Sequence, residues 1–337
     1  MIKRCILLIL LASSTALYAQ RGGESLYGIL QMTQSARVAS LGGNQVGLVG
    51  KEISMLNHNP AMIDSTWTKN MSFSYIPYVA DIHYGFAGVA WNFENIGTFA
   101  FSVYHLSYGS LRGTDEEGNE TGKFGAGETV LQINYGRKLS ENWRVGLSIK
   151  PLMSKIESYS SWAIASDLGI FYEKPESNFT FGAVLKNYGK QLTSYSDAKK
   201  ESLRPDLQIG ISQKLNHAPF RFSITAKDLL SGSLSYDIKD QDDNIIIKEE
   251  DTVEKKIMRR LVLGLEFVPT DNFYIGAGVN PRRRQELKVD SRTSTVGYSW
   301  GFGIKVYKFN ISYGSTRYHL AGTSNYFSIT TSLSSFM

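Results

Sequence analysis

The stretch Phe220-Arg221-Phe222-Ser223-Ile224-Thr225-Ala226-Lys227 decides the fold class. Its apolar residues occupy every second position, and the positions between them carry charged or hydroxyl side chains. Because successive side chains of a β-strand point to opposite faces, the stretch predicts a strand with one apolar and one polar face. The apolar face suits lipid, whereas the other face carries groups that lipid would not accept.

The same alternation recurs through most of the chain. Most of the segments have 11 or 12 residues, close to the roughly 9–11 that a tilted strand needs to cross a bilayer. Strands of ordinary globular proteins have about 5–6 residues. The sequence therefore predicts an all-β fold, a transmembrane antiparallel β-barrel of about 14 strands. The predicted segments are 70–81, 83–93, 97–108, 127–138, 142–154, 161–173, 177–188, 204–215, 219–229, 256–268, 271–281, 294–305, 308–319 and 322–335.

The connections between these segments sort by length. Every second connection is short, such as Glu94-Asn95-Ile96 and Leu139-Ser140-Glu141. The intervening ones include all the long connections, which are 109–126, 154–160, 189–203, 230–255 and 282–293. Bacterial barrels have short periplasmic turns and longer external loops. The pattern thus predicts the outer membrane of a Gram-negative bacterium, with the long loops outside and both termini periplasmic.

The first 19 residues predict a secretory signal peptide. Met1-Ile2-Lys3-Arg4 is positively charged, Cys5 to Ala12 is apolar, and small residues lead to Ala19. The apolar run is far shorter than the roughly 20 residues of a membrane-spanning helix. Cleavage after Ala19 would remove Cys5 and leave a mature chain without cysteine.

Residues 20–69 do not alternate cleanly, and the barrel is expected over 70–337. Gly42-Gly43 favours a turn, and Asn59-Pro60 favours a turn or a helix start. We expect a plug or hatch-like segment inside the barrel, with Asn59, Pro60 and Ala61 in the hatch region. The alternative is an N-terminal strand and surface loop with no gating role.

The sequence predicts a non-enzymatic protein without a cofactor. A net charge of +5 with scattered basic residues argues against nucleic-acid binding. Ser and Asp are abundant, but abundance alone does not give the geometry of a Ser–His–Asp hydrolase. The histidines form no His-x-x-x-His or Glu-x-x-His pair, so no metal site and no catalytic residue is expected. They are His58, His83, His105, His217 and His319.

Charged clusters give the candidate contact residues. Arg282, Arg283 and Arg284 follow the eleventh segment at the outer end, where guanidinium groups suit lipopolysaccharide phosphates; the alternative is a generic polar rim. Acidic loop residues predict either solvated loops or docking of a surface protein or Ca²⁺. They are Asp240, Asp242, Asp243, Glu249 and Glu250 in the 230–255 connection, and Asp115, Glu116, Glu117 and Glu120 in the 109–126 connection.

The polar faces of the strands carry charged side chains toward the lumen, namely Lys150, Arg221, Lys227, Arg260 and Glu266. They would line an open polar channel or satisfy one another across a plugged lumen, and we favour the second interpretation. A bulge in the third strand with an apolar luminal pocket would favour a transporter. A plugged, polar lumen with ordered external loops would favour a scaffold.

Several elements resemble known families. Asn59-Pro60-Ala61 after a Gly-rich segment is similar to the N-terminal region of long-chain fatty-acid transporter barrels, which have 14 strands and a hatch. A narrower resemblance, clearest from residue 26 to 230, is to the PorQ family of outer-membrane barrels in the Bacteroidetes type IX secretion system. It rests on an ordered set: Ser35-Ala36-Arg37-Val38-Ala39-Ser40-Leu41-Gly42-Gly43, Asn57-His58-Asn59-Pro60-Ala61, Asp81-Ile82-His83-Tyr84-Gly85, Glu157-Ser158-Tyr159-Ser160-Ser161 and His217-Ala218-Pro219-Phe220-Arg221-Phe222.

The two resemblances imply different functions. The narrower one implies a barrel that anchors a surface partner, PorZ, beside PorU and PorV in the complex that attaches secreted cargo to the cell surface. The broader one implies an outer-membrane transporter of hydrophobic small molecules. Neither carries an established residue-level site to this sequence.

Overall fold

The computed structural model describes residues 26–78, 81–196, 200–231, 238–239, 245–247, 252–287, 295–319 and 322–336. Fourteen strands pair antiparallel and close into one barrel, which confirms the predicted fold class and strand number. The predicted signal peptide lies outside the described residues.

The strands follow the predicted segments closely. In chain order they are β1 (Asn70–Pro77), β2 (His83–Phe93), β3 (Gly97–Thr114), β4 (Glu120–Lys138), β5 (Trp143–Ile156), β6 (Tyr159–Lys174), β7 (Phe179–Thr193), β8 (Asp206–Lys214), β9 (Phe220–Ala226), β10 (Ile238–Lys239), β11 (Ile245–Ile247), β12 (Leu261–Thr270), β13 (Phe273–Val279), β14 (Tyr298–Val306), β15 (Phe309–His319) and β16 (Gly322–Ser332). The helices are α1 (Ala36–Ser40), α2 (Val253–Arg260) and α3 (Pro281–Leu287), with 3₁₀ turns at Gly28–Gln31, Ile53–Asn57, Pro60–Met62, Ser65–Trp67, Pro175–Ser177 and Leu333–Ser335.

The barrel closes between its first and last strands. Consecutive strands are neighbours throughout, except that β9 pairs directly with β12 and the short β10–β11 hairpin lies outside the wall. β1 pairs with β16 from Asn70↔Ser332 to Tyr75↔Phe327. Closure gives every wall strand two neighbours, which is what a strand needs in a lipid environment that cannot satisfy backbone groups.

The alternation that decided the fold class is visible in the wall. Phe222 and Ile224 are 48% and 41% exposed on the outside, whereas Ser223 and Thr225 face inward and are 4% and 0% exposed. Large apolar side chains are exposed in the same way on the outward face of the other strands. Such a surface requires lipid. Among the described helices, none is long and apolar enough to cross a membrane.

Three stretches differ from the predicted segments. The predicted strand 256–268 begins as helix α2, which Thr252 caps by accepting a hydrogen bond from the Lys255 amide. The predicted strand 271–281 ends at Val279 because Pro281 starts helix α3, a position that proline favours. The predicted loop 109–126 is mostly strand, since β3 and β4 continue to Thr114 and Glu120.

Residues 26–69, here called the luminal segment, lie inside the barrel. Most of their side chains are buried. Helix α1 packs against β13 to β16, and the turn Pro60–Met62 packs against β4, β5 and β6 on another side of the lumen. The segment therefore crosses the interior rather than lying on the surface.

The wall meets the luminal segment through glycines, here called the glycine belt. Gly136, Gly146 and Gly169 are direct cross-strand neighbours, and so are Gly276, Gly301 and Gly314. At each belt position an added Cβ would meet an atom of the luminal segment within 4 Å. Side chains here would hold the segment away from the wall, so the belt permits close backbone approach. The belt consists of Gly136, Gly146, Gly169, Gly182, Gly210, Gly264, Gly276, Gly278, Gly301 and Gly314.

The glycine belt gives a first prediction. A Cβ at position 182 would overlap the carbonyl oxygen of Val46, which is backbone and cannot move aside cheaply. We expect Gly182→Ala to destabilise the folded barrel by about 1–3 kcal/mol, the range for overpacking. Heat-induced unfolding in detergent, followed by gel mobility, measures the change.

Gly85→Ala is the matched control. An added Cβ at Gly85, on the outward face of β2, meets no heavy atom within 4 Å. An equal loss of stability in both variants would contradict the close packing of the luminal segment against the belt.

Candidate functional site

The centre of the luminal contacts is Arg37 on α1. Its Nε and Nη2 donate to the two carboxylate oxygens of Glu266 at 2.7 and 2.9 Å, and its Nη1 donates to the Val49 carbonyl at 2.8 Å. Arg221 on β9 also donates to Glu266, at 3.1 Å. All three side chains are at least four-fifths buried. The paired geometry is the strong, bidentate form of the arginine–carboxylate bond, and it ties the luminal segment to the wall.

Glu52 lies beside this group. The Ser35 hydroxyl donates to Glu52 at 2.8 Å, which joins the two halves of the luminal segment. Burial raises the pKa of the Glu52 carboxyl, although the Arg37 charge opposes the shift.

A second buried ion pair joins two neighbouring strands of the wall. Lys150 on β5 lies 2.7 Å from Asp167 on β6, and both side chains are fully buried. Lys150 also donates to Asn187 on β7 at 2.7 Å.

His58 of the luminal segment has a pKa well below its usual range because it is buried and because Lys186 and Lys150 are positive. Its Nε2 lies 2.8 Å from the Thr33 hydroxyl, so the imidazole is part of a buried hydrogen-bonded network.

The luminal segment is held at both ends of the barrel. At the end with the long hairpins, Ile29 donates its amide to Glu128 at 3.0 Å, and the hydroxyls of Tyr27 and Ser161 lie 2.6 Å apart. At the end with the short turns, Arg144 pairs with Asp64 and, at 2.5 Å, with Glu173. The segment thus fills the lumen from one end to the other.

The predicted hatch residues lie at the wall. Asn59 donates its amide nitrogen to the carbonyls of Val46 and Ile170 at 3.2 and 3.0 Å, and its amide oxygen accepts from the Ala61 nitrogen at 3.0 Å. Pro60 opens the 3₁₀ turn beside Gly146. This arrangement fixes the turn against β5 and β6. A gating role of the segment stays a prediction.

The three predicted arginines are on α3. Arg282 pairs with Asp228 at 3.0 Å, Arg283 lies against Gly43 of the luminal segment, and the Arg284 guanidinium lies 4.8 Å from the centre of the Tyr298 ring. All three side chains therefore contact other residues of the barrel. The lipopolysaccharide contact stays a prediction. Asp240, Asp242, Asp243, Glu249 and Glu250 lie outside the described residues.

Two of the predicted lumen-directed charges, Arg221 and Glu266, pair with each other as the plugged interpretation predicts, and the others have different partners. Glu266 pairs with Arg221, Lys150 with Asp167, and Lys227 with Asp228 at 3.4 Å. The Arg260 guanidinium donates to the Ser231 carbonyl at 2.7 Å.

Sequence reasoning missed Arg37 as the central partner of Glu266. Its only local signal is that it is the single charge within Ser35–Gly43, a stretch otherwise made of small and apolar residues.

The described surface includes a groove and a smaller cavity. A groove of about 510 Å³ runs along the outward face of β2, where Gly85 and Ala87 form a low floor between Tyr75 and Phe73 on β1 and Val103 on β3. A smaller cavity of about 250 Å³ lies at the short-turn end and is lined by polar groups that include Lys51, Lys214, Asp271 and Lys305. The described residues contain no cluster of His, Cys, Asp or Glu that would hold a metal ion.

The fold is similar to solved outer-membrane barrels. A TodX deltaS2S3 mutant, described as a monoaromatic hydrocarbon channel, has a TM-score of 0.52 at 9% identity and covers 88% of this chain and 96% of its own. The Pseudomonas putida toluene transporter TodX has a TM-score of 0.49 at 10% identity, with 94% and 98% coverage. A Pseudomonas aeruginosa FadL homologue has a TM-score of 0.48 at 12% identity, with 88% and 97% coverage.

No protein-family model and no curated protein sequence matches the chain. At identities this low, the similarity to the TodX variant shows a shared fold alone. The chain therefore has the barrel fold of Gram-negative outer-membrane proteins.

The Arg37–Glu266–Arg221 group gives a second prediction. Glu266→Gln leaves two buried guanidinium groups without their carboxylate. Removing one partner of a buried pair costs about 3–5 kcal/mol because the remaining charge is uncompensated. Urea unfolding of the detergent-solubilised barrel measures the loss.

Glu120→Gln is its matched control. Glu120 pairs with Arg112 at 2.7 Å, but both side chains are largely exposed, and such pairs contribute about 0–1 kcal/mol. Similar losses in the two variants would show that the luminal ion pairs do not hold the segment.

Proposed function

We propose that the chain is a non-enzymatic outer-membrane barrel that anchors a cell-surface protein of the type IX secretion system, as its resemblance to PorQ implies. The observation that supports this best is the filled lumen. The luminal segment is bonded to the wall at both ends and at the buried Arg37–Glu266–Arg221 group. A plugged interior leaves the outer rim as the working surface.

The proposed partner is PorZ, together with PorU and PorV in the cargo-attachment complex. In this proposal the long hairpins face the outside and the short turns face the periplasm. Lipid covers the apolar wall, and Arg282, Arg283 and Arg284 lie at the depth of lipopolysaccharide phosphates. The periplasmic position of both chain ends is part of the same proposal.

A second candidate is transport of hydrophobic small molecules, in the manner of fatty-acid transporter barrels. The apolar groove along β2 and a register shift in β3 between Ser107 and Ser110 favour it. The fold comparison also favours it, since the TodX variant is described as a hydrocarbon channel. Transport would require the luminal segment to leave its bonded position, with an apolar ligand entering from the lipid side.

Gene deletion in the source bacterium tests the first candidate. We expect secreted cargo and PorZ to appear in the culture medium instead of on the cell surface, because their anchor is gone. Immunoblots of cell and medium fractions measure this. Normal surface attachment in the deletion strain would refute the anchoring function.

A groove variant separates the two candidates. Gly85→Leu fills the floor of the wall groove from outside, where an added Cβ is not obstructed. It should leave cargo attachment unchanged if the barrel is an anchor. Loss of fatty-acid or hydrocarbon uptake in this variant, with attachment intact in the deletion strain, would establish the transporter instead.

A further inference from the structure

The β3–β4 hairpin continues beyond its neighbours at the long-hairpin end. Pairing of β3 with β2 stops at Ser107↔His83, and pairing of β4 with β5 stops at Ala126↔Ile156. The two strands nevertheless pair with each other as far as Thr114↔Glu120. Residues 110–125 therefore form a two-stranded ribbon beyond the closed wall, here called the outer ribbon.

The β3 side of the outer ribbon is an open sheet edge. Ser110, Leu111, Arg112 and Thr114 are exposed. Among the described residues, only those of β4 bond to the backbone of Ser110–Thr114. Because backbone groups of a strand point alternately to its two sides, half of them here face solvent.

The β4 side is a poorer template. Gly122 on that strand has a φ of +131°, outside the extended region, and the Gly125 carbonyl already accepts from Glu157 at 3.0 Å. No residue of Ser110–Thr114 has a positive φ. The regular edge of the ribbon is thus the one on β3.

Natural proteins usually protect an open edge with proline, lysine or a covering element. The outer ribbon contains no proline, and the one charged residue on its β3 edge, Arg112, pairs across the ribbon with Glu120. The tip is ordered, because Asp115 accepts hydrogen bonds from the amides of Asn119 and Glu117 at 2.7 and 3.1 Å. An ordered edge is suited to strand addition, because little conformational entropy remains to be lost on binding.

We propose that the β3 edge of the outer ribbon, Ser110–Thr114, is the docking site of the surface partner, which contributes an extended peptide segment as an added strand. Main-chain hydrogen bonds supply the affinity in this mode, and alternate side chains such as Leu111 supply the specificity. The inference rests on the proposed anchoring function and names the surface that performs it.

The test shortens the ribbon in the full-length protein in its source bacterium. Replacing residues 112–123 with Asn-Gly joins the paired residues Leu111 and Phe124 by a two-residue turn, which this dipeptide favours. Partner retained on intact cells is measured by surface immunolabelling, and gel mobility before and after heating reports the folded barrel. We expect retained partner to fall about tenfold or more, as loss of a few hydrogen bonds predicts.

A second variant keeps the ribbon at full length. Ser110→Lys/Leu111→Lys introduces on the β3 edge the residue that natural proteins use to blunt edges, and the same loss is expected. The matched control is Arg112→Ala/Glu120→Ala, which removes the exposed ion pair but keeps the backbone edge. It should retain the partner within about twofold of wild type.

The outcomes distinguish the two levels of the proposal. Partner loss in the gene deletion but not in the two edge variants overturns the ribbon as docking site and leaves the anchoring function standing. Retention in the deletion strain overturns the anchoring function itself. If the alanine control loses the partner as fully as the shortened ribbon, docking is through side chains and strand addition is wrong.

Discussion

The lumen of a fourteen-stranded barrel is wider than its own wall side chains can fill, and the rest of the structure depends on this constraint. Barrels of about eight strands close over their own side chains, whereas those of about 16–18 leave an aqueous channel. Here the space is filled by the luminal segment. The glycine belt is the corresponding adaptation of the wall, because backbone must approach backbone where the segment turns.

Burying the charged side chains of the inward faces under a polypeptide has an electrostatic cost. Charges on the inward faces lose water when the segment enters, so each needs a partner of opposite sign. Arg37 donates hydrogen bonds both to Glu266 on the wall and to the Val49 carbonyl of its own segment. A buried pair of this kind contributes little net stability but disfavours other positions of the segment, because any shift would leave a charge unpaired. The position of the plug is therefore specified by charge, while its close approach is permitted by glycine.

The sequence predicts the wall well and the lumen poorly, for a physical reason. Alternation is imposed by lipid on one side, so each wall strand carries its own local signal, and β2, β5 and β14 lie within a few residues of prediction. Glu266 and Arg37 are 229 residues apart, and no local pattern links them. The belt glycines of β4, β5, β8 and β15 are visible on the polar faces of the predicted strands, but what they contact is not.

The outer ribbon shows the limit of the same reasoning at the other boundary. From Ser110 onward β3 extends beyond its pairing with β2, so the requirement for alternating apolar residues ends although the strand continues. A sequence read by alternation therefore predicts a loop where the structure has paired strands. Barrel closure removes edges from the wall by giving each strand two neighbours. A strand that is longer than a neighbour has no partner on that side beyond the neighbour's end. Any strand that rises higher carries open backbone groups into solvent at the long-hairpin end of the barrel.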